Sequence, residues 1–143
     1  MFREKLLKLG DWQKSPHGEG RYGTIEELKE FLLYKRIAEW TPDYLKLEDG
    51  TKITLGLSES DCCAHAGGEF NDVELDAVIT NLGISEVIEG DDGYGYIENK
   101  STVTLFHNQN PIAQADMEAG HNGYYYSVGS LVINDIHFPV IES

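Results

Sequence analysis

Apolar residues recur at helical spacing in the segment TIEELKEFLLYKRIAEW, residues 24–40. Thr24 followed by Glu27 forms a capping-box pattern, which marks the start of a helix. Pro42 ends the pattern, because the residue before a proline is pushed out of the α region. We therefore predict a helix over about residues 24–40. Its apolar positions, three to five residues apart, are Ile25, Leu28, Phe31, Leu32 and Ile37.

The pattern changes to alternation of apolar and polar residues after the proline. The stretch YLKLEDGTKITLGL, residues 44–57, has the period of two that is typical of a half-buried strand. Asp49 and Gly50, between its two halves, form the dipeptide that suits a type I′ turn, in which both central residues have positive φ. We predict a β-hairpin with one buried face. The apolar residues of that face are Leu45, Leu47, Ile53 and Leu55.

Further β-rich runs follow as far as the end of the sequence. We predict strands near residues 73–80 and 84–89, although VELDAVITNLG, residues 73–83, also fits one short helix. Four later runs, STVTLFHN, IAQADM, YYYSVGSLVI and IHFPVI, are separated by Asn, Gly and Pro, which favour turns. The acidic, glycine-rich stretch EGDDGYGYIENKS before them is predicted as a solvated tip.

These elements together predict an α+β fold. An amino-terminal helix at about residues 24–40 is followed by a mostly antiparallel β-sheet that forms a sandwich or a small barrel. The length of 143 residues is that of one domain. We expect residues 1–23 to be an arm with a short helix and residues 24–143 to form a single domain.

The charge of the chain restricts its partners. Eleven Lys and Arg against 25 Asp and Glu give a formal net charge of -14. Such a charge repels phosphate backbones and anionic lipids, so we expect no nucleic-acid and no membrane partner. The amino terminus alternates charge with leucine and lacks the apolar block of a secretory signal, which favours the cytoplasm. We expect no cofactor, because the sequence lacks GxxxxGK[ST], HExxH, GxSxG and a GxGxxG after a strand.

The stretch DCCAHAGGEF contains both cysteines of the chain, Cys62 and Cys63. Adjacent Cα atoms lie about 3.8 Å apart, below the usual disulfide range, so we expect free thiols. The candidate metal ligands are the two cysteines with His65 and His107, although structural zinc sites usually separate their cysteines by two residues or more. A thiol nucleophile would need one of the same histidines as its base. The favoured interpretation is a structural turn braced by Asp61, with the cysteines as small buried residues.

A second candidate site lies in the tyrosine-rich stretch AGHNGYYYSVGS. Successive residues of a strand point to opposite faces, so at least one of the three tyrosine rings is expected at solvent or at an edge. Exposed tyrosine beside Asn and His suits recognition of a protein or a sugar. The alternative is that tyrosine is simply a strong strand former. The candidate binding residues are His121, Asn122, Tyr124, Tyr125 and Tyr126.

Four short motifs follow one another from the hairpin onward: Asp49-Gly50, Asp61-Cys62-Cys63, His107-Asn108 and Gly123-Tyr124-Tyr125. In this order they resemble a domain family of unknown function that is widespread in tailed bacteriophages of actinobacteria. The resemblance covers about residues 44–136. It implies a phage-encoded protein and supplies no activity, substrate or catalytic residue.

We expect one of three functions, of which the first two follow from the resemblance and the third from the residues of the cysteine stretch. The leading one is a non-enzymatic accessory protein that binds a host or defence protein in the host cytoplasm. The alternative is a structural component of the virion, such as a capsid decoration or tail protein. The second alternative is a small metal-dependent or thiol-dependent enzyme centred on Cys62, Cys63 and His65.

Overall fold

A computed structural model describes residues 2–3, 5–9, 15–61, 64–121 and 126–143. These residues form one helix and twelve strands. The helix is α1 (Ile25–Leu32), and the strands are β1 (Phe2–Arg3), β2 (Arg21–Tyr22), β3 (Ile37–Thr41), β4 (Tyr44–Leu47), β5 (Lys52–Ser60), β6 (His65–Asn71), β7 (Asn81–Ser85), β8 (Ile88–Asp91), β9 (Ile97–His107), β10 (Asn110–His121), β11 (Ser127–Ile133) and β12 (Ile136–Glu142). Among the described residues, no helix has the length and apolar character needed to cross a membrane.

The strands form two six-stranded sheets. The first sheet has the order β1-β7-β9-β10-β6, and β8 also pairs with β9. The second sheet has the order β2-β12-β11-β5-β4-β3. All strand pairs are antiparallel except β2 with β12.

Side chains of both sheets and of α1 share one hydrophobic core. Strand β10 illustrates how the sequence produces it, because Ala115, Met117 and Ala119 are buried while Asp116 between them is exposed. Alternate residues of a strand face opposite sides, so this period of two gives the first sheet a buried inner face and a polar outer face.

The chain crosses between the two sheets from β1 to β2, from β5 to β6 and from β10 to β11, and the last two crossings lie at the same end of the molecule. It leaves the second sheet after Ser60 and enters the first at His65, and it returns between His121 and Ser127. Ser60 pairs with Ser127, and the Asp61 N–H donates to the carbonyl of Tyr126 at 2.9 Å. We call the end marked by Ser60, His65, His121 and Ser127 the crossover end.

The predicted helix is correct at its start and wrong in its length. Thr24 caps α1, and both hydrogen bonds of the capping box with Glu27 are present. The chain leaves the helix after Leu32, and Tyr34 has a φ of 67°. Ile37, five residues beyond Leu32, does not continue the helical period; it is buried as the first residue of β3 instead. The fold is therefore mostly β in two sheets, and the α+β prediction is wrong.

The predicted hairpin is present as β4 and β5, but its turn differs. The Gly50 N–H donates to the Leu47 carbonyl at 2.9 Å, and the Leu47 N–H donates to the Thr51 carbonyl at 2.8 Å. Gly50, with a φ of 89°, has positive φ, and Asp49 does not. The connection is thus a three-residue loop with glycine at the left-handed position, not a type I′ turn. Lys35, 2.7 Å from Asp49, is the main cause that lowers the pKa of this carboxyl to about 2.

The remaining strand predictions are confirmed only towards the carboxyl end. The last four predicted runs overlap β9 to β12. Of the predicted acidic tip, residues 89–101, the structure places 89–91 in β8 and 97–101 in β9, with residues 92–96 between the two strands. Residues 73–80 form no strand and make one isolated bridge, from Val78 to Arg36. The run at residues 84–89 is divided between β7 and β8. The short helix expected in the arm is absent from residues 5–9, while the division into arm and domain stays a prediction.

A candidate binding site at the crossover end

An aromatic pair lies on the outer face of the first sheet at the crossover end. His65 begins β6, and its exposed ring stacks on the ring of Tyr96, which precedes β9. The ring centroids are 6.0 Å apart and the planes differ by 7°. The Tyr96 hydroxyl lies 2.8 Å from Nδ1 of His65. We call these two residues the Tyr96–His65 pair.

Gly120 of β10 makes room for this pair. In the sheet, Gly120 is the cross-strand neighbour of His65 on one side and of Glu98 on the other, and both rings of the pair lie next to it. A Cβ atom on Gly120 would lie 2.2 Å from the Tyr96 hydroxyl and 2.9 Å from Cε1 of His65. The glycine therefore allows both rings to lie across β10.

Carboxylates surround the Tyr96 ring. Burial raises the pKa of its hydroxyl, and the negative charges of Glu98, Glu118 and Asp92 raise it further. One cation lies close to these groups, since Nζ of Lys100 is 3.5 Å from Glu98. The outer face at this end is thus aromatic and acidic.

A groove of about 420 Å³ lies beside the pair, over β8, β9 and the loop that joins them. Ile88 contributes an apolar side chain that is 70% exposed. The full lining is Ile88, Gly90, Asp91, Asp92, Tyr96, Glu98 and Lys100.

The two candidate motifs of the sequence converge at the crossover end. Asp61 of the cysteine stretch makes two backbone hydrogen bonds. Its N–H donates to the Tyr126 carbonyl, and its carbonyl accepts from the Ala64 N–H at 3.1 Å. His121 ends β10 and is half-buried. Tyr126 is half-buried, and its hydroxyl donates to Glu59 at 3.3 Å. Cys62, Cys63, Asn122, Tyr124 and Tyr125 lie outside the described residues.

The structure separates His107 from His65, the other metal candidate that it describes. His107 ends β9, nine residues beyond Glu98, which lies level with His65 in the sheet. At about 3.3 Å per strand residue this is roughly 30 Å, whereas metal ligands lie about 2 Å from a shared ion. Nδ1 of His107 is 2.9 Å from the Val78 carbonyl. The part of the chain that the structure describes contains no group of three His, Cys, Asp or Glu residues placed to hold a metal ion.

A buried carboxylate near the crossover end was missed by the sequence analysis. Glu59 on β5 is 3% exposed. The Tyr22 hydroxyl donates to its Oε2, the Tyr126 hydroxyl donates to its Oε1, and Nε2 of His17 lies 3.8 Å from Oε1. Burial, followed by the bond to Glu59, raises the pKa of Tyr22 far above its usual value. A possible signal in the sequence was the polar run Ser-Glu-Ser at the end of a strand that is otherwise alternating.

A serine and a histidine next to this carboxylate form a structural contact. Oγ of Ser58 lies 2.7 Å from Nδ1 of His137 and 2.6 Å from Oγ of Ser130. Ser58 is 1% exposed, so a substrate has no access to its hydroxyl. Burial is also the main cause that lowers the pKa of His137. The pair therefore stabilises the sheet and lacks the access that a nucleophile needs.

The amino-terminal residues 15–22 cover this polar network, and we call them the covering segment. The His17 N–H donates to the Ser58 carbonyl at 2.7 Å, and the Arg21 N–H donates to the Asp135 carbonyl at 3.2 Å. Tyr22 contributes to β2 and contacts the ring of His137 edge-on at 6.3 Å. The second sheet is thus closed at the crossover end, where the first sheet is open.

Comparison with known proteins identifies the family of this chain. No curated protein and no solved structure matches the chain. A family described as "Domain of unknown function (DUF7448)" matches residues 30–132, more than two thirds of the chain. The matched part contains the β4–β5 hairpin, the Tyr96–His65 pair and the two crossings at the crossover end. The chain belongs to this family of domains of unknown function.

Proposed function

We propose that this protein is a non-enzymatic accessory protein that binds a host or defence protein through the crossover end of its first sheet. Following the resemblance to phage domains, the proposal includes a phage origin. The observation that carries it is the Tyr96–His65 pair at the surface of the first sheet, where the His65 ring is exposed and the Tyr96 ring is half-buried.

The geometry of this pair supports recognition. Tyrosine offers a large contact area at a low cost in conformational entropy, and its hydroxyl adds a hydrogen bond. The pair is held in place by stacking, by the contact between the Tyr96 hydroxyl and His65, and by the room above Gly120. A rigid surface of this kind loses little freedom when a partner binds.

The described histidines give less support to an enzyme. The Nδ1 atom of His65 contacts Tyr96, and His107 lies at the opposite end of β9. The close serine–histidine pair, Ser58 with His137, is buried. Each of these arrangements has a structural use and leaves no described histidine beside an accessible nucleophile.

The test compares Tyr96→Ala with Tyr44→Ala as a matched control. Tyr44 lies on the second sheet, and its hydroxyl donates to Glu39 at 2.9 Å, so both substitutions remove a tyrosine that is near a carboxylate. In quantitative affinity capture from host lysate, we expect the partner recovered by the wild type to be retained by Tyr44→Ala and lost by Tyr96→Ala. Equal recovery by both variants contradicts the proposal. Stoichiometric amounts of the protein in purified phage particles support the virion role instead.

A further inference from the structure

Strand β8 is an open edge of the first sheet. It pairs with β9, and within the described residues no other strand lies on its far side. All four residues of β8 are exposed. An edge of this kind presents unpaired backbone groups to which another extended segment can add.

One row of residues crosses the outer face to this edge. It runs from His65 through Gly120 and Glu98 to Gly90, each the cross-strand neighbour of the next. The rings of the Tyr96–His65 pair cover Gly120. Gly90 has no side chain and lines the groove, so the row is open between Glu98 and the edge of the sheet.

The charges of the groove indicate which segment fits. Asp91, Asp92 and Glu98 supply three carboxylates, and Lys100 is the single cation of its lining. The charge of Lys100 is already matched, because it lies 3.5 Å from Glu98 and pairs across the strands with Glu118. Acidic residues on an edge strand oppose pairing with neutral or acidic strands, whereas they attract a basic one.

We infer that β8 binds an extended, arginine-bearing segment of the partner protein as an added strand. In this arrangement the arginine side chain opposite Gly90 lies over that glycine, reaches Glu98 and contacts the Tyr96 ring. A guanidinium bonds a carboxylate with two parallel N–H groups and stacks its plane on aromatic rings, whereas the ammonium of lysine has no planar fork and acts as a point charge. The exposed side chain of Ile88 adds apolar contact with the residue two positions along.

The experiment uses the full chain with a synthetic peptide, acetyl-VRVRV-amide, and its lysine and glutamate counterparts. Amide chemical-shift mapping and calorimetric titration give the site and the affinity. We expect shifts concentrated in residues 88–100, tighter binding of the arginine peptide than of the lysine peptide, and no binding of the glutamate peptide. Shifts spread over the whole acidic surface, or equal affinity for arginine and lysine, overturn the inference.

Glu98→Gln tests the role of the carboxylate while conserving the shape of its side chain. We expect Glu98→Gln to weaken the binding of the arginine peptide about tenfold, which is the usual effect of losing one charged hydrogen bond. Glu69→Gln is the control, because Glu69 is exposed on the same sheet at its other edge and carries the same charge. A similar loss in both variants would indicate attraction by net charge alone and overturn the inference.

The inference rests on the proposed function, yet the two fail separately. If Glu98→Gln captures the partner as well as the wild type while Tyr96→Ala does not, the partner binds the aromatic pair without adding a strand at β8. If Tyr96→Ala also captures it fully, the proposed function itself is contradicted.

Discussion

Each sheet has a tyrosine beside a glutamate near the crossover end, and the two pairs differ in what covers them. On the second sheet, Glu59 is buried under the covering segment and bonded by Tyr22. On the first sheet, Glu98 lies in an open groove beside Tyr96. The same two residue types are thus buried in a hydrogen-bonded network at one site and line an accessible groove at the other, where we propose that a partner binds. The difference lies in the chain that covers the second sheet.

The buried pair has a specific energetic requirement. A carboxylate removed from water is costly unless hydrogen bonds replace its hydration. Glu59 obtains them from the hydroxyls of Tyr22 and Tyr126, with His17 at 3.8 Å. Two of these three partners, Tyr22 and His17, belong to residues 15–22. The carboxylate therefore fixes the covering segment to the second sheet.

Removing each carboxylate in a separate variant should give the largest difference in the free energy of unfolding between the two sites. We expect Glu59→Ala to lower the free energy of unfolding by about 3 kcal/mol, because it leaves buried hydroxyls without an acceptor and creates a cavity. Glu98→Ala should change it by less than about 0.5 kcal/mol, as surface substitutions usually do. Urea denaturation measures both values. Equal losses would show that Glu98 is as structural as Glu59.

Removing one hydroxyl from each pair should give a smaller contrast. Tyr22→Phe leaves Glu59 with one fewer donor, so we expect a loss of about 2 kcal/mol in the free energy of unfolding, against less than about 0.5 kcal/mol for Tyr96→Phe. Urea denaturation at neutral pH gives these values.

Tyr22→Phe should also change how the free energy of unfolding depends on alkaline pH. The raised pKa of Tyr22 means that folding favours the neutral phenol. Its contribution is complete below the unfolded pKa of 10.0 and is lost as the pH rises above that value. The wild type should therefore lose stability above pH 10 more steeply than Tyr22→Phe. Parallel curves for the two proteins would exclude Tyr22 as the titrating group.

The sequence predicted local features better than long-range ones. The capping box at Thr24 and the glycine turn at Gly50 depend on neighbouring residues, and both are present. The length of α1 was wrong because Ile37 is buried by pairing of β3 with β4, which a helical period does not reveal. β6 was missed because its residues Ala66, Gly67 and Gly68 carry no strand signal, and neighbouring strands determine its pairing.

The candidate site could be predicted in part. The sequence singled out His65 and Tyr126, and both lie near the crossover end. It did not indicate Tyr96 as the partner of His65, because the two residues are 31 positions apart and meet only through β10. The covering of Glu59 was equally hidden, since Tyr22 lies 37 positions away from it.

Filling the space under the aromatic pair should have a small effect on stability and sharpen the contrast most. An added Cβ at Gly120 meets Tyr96 and His65, so we expect Gly120→Ala to push both rings outward and separate them. The cost in stability should be below about 1 kcal/mol, since the exposed His65 ring and the half-buried Tyr96 ring can move into solvent. The pKa of Tyr96 should fall towards its usual value as its burial is lost.

Gly67→Ala is the matched control for this prediction. Gly67 is a residue of β6 in the same sheet, and a Cβ there meets no atom within 4 Å. Contacts between the two rings, measured by nuclear Overhauser effects, should persist in Gly67→Ala and disappear in Gly120→Ala. Retained contacts in Gly120→Ala would mean that the pair does not depend on the glycine. Gly120→Ala keeps both the tyrosine and the histidine. If the contacts disappear in this variant and partner binding falls with them, binding therefore depends on the position of the two rings and not only on their presence.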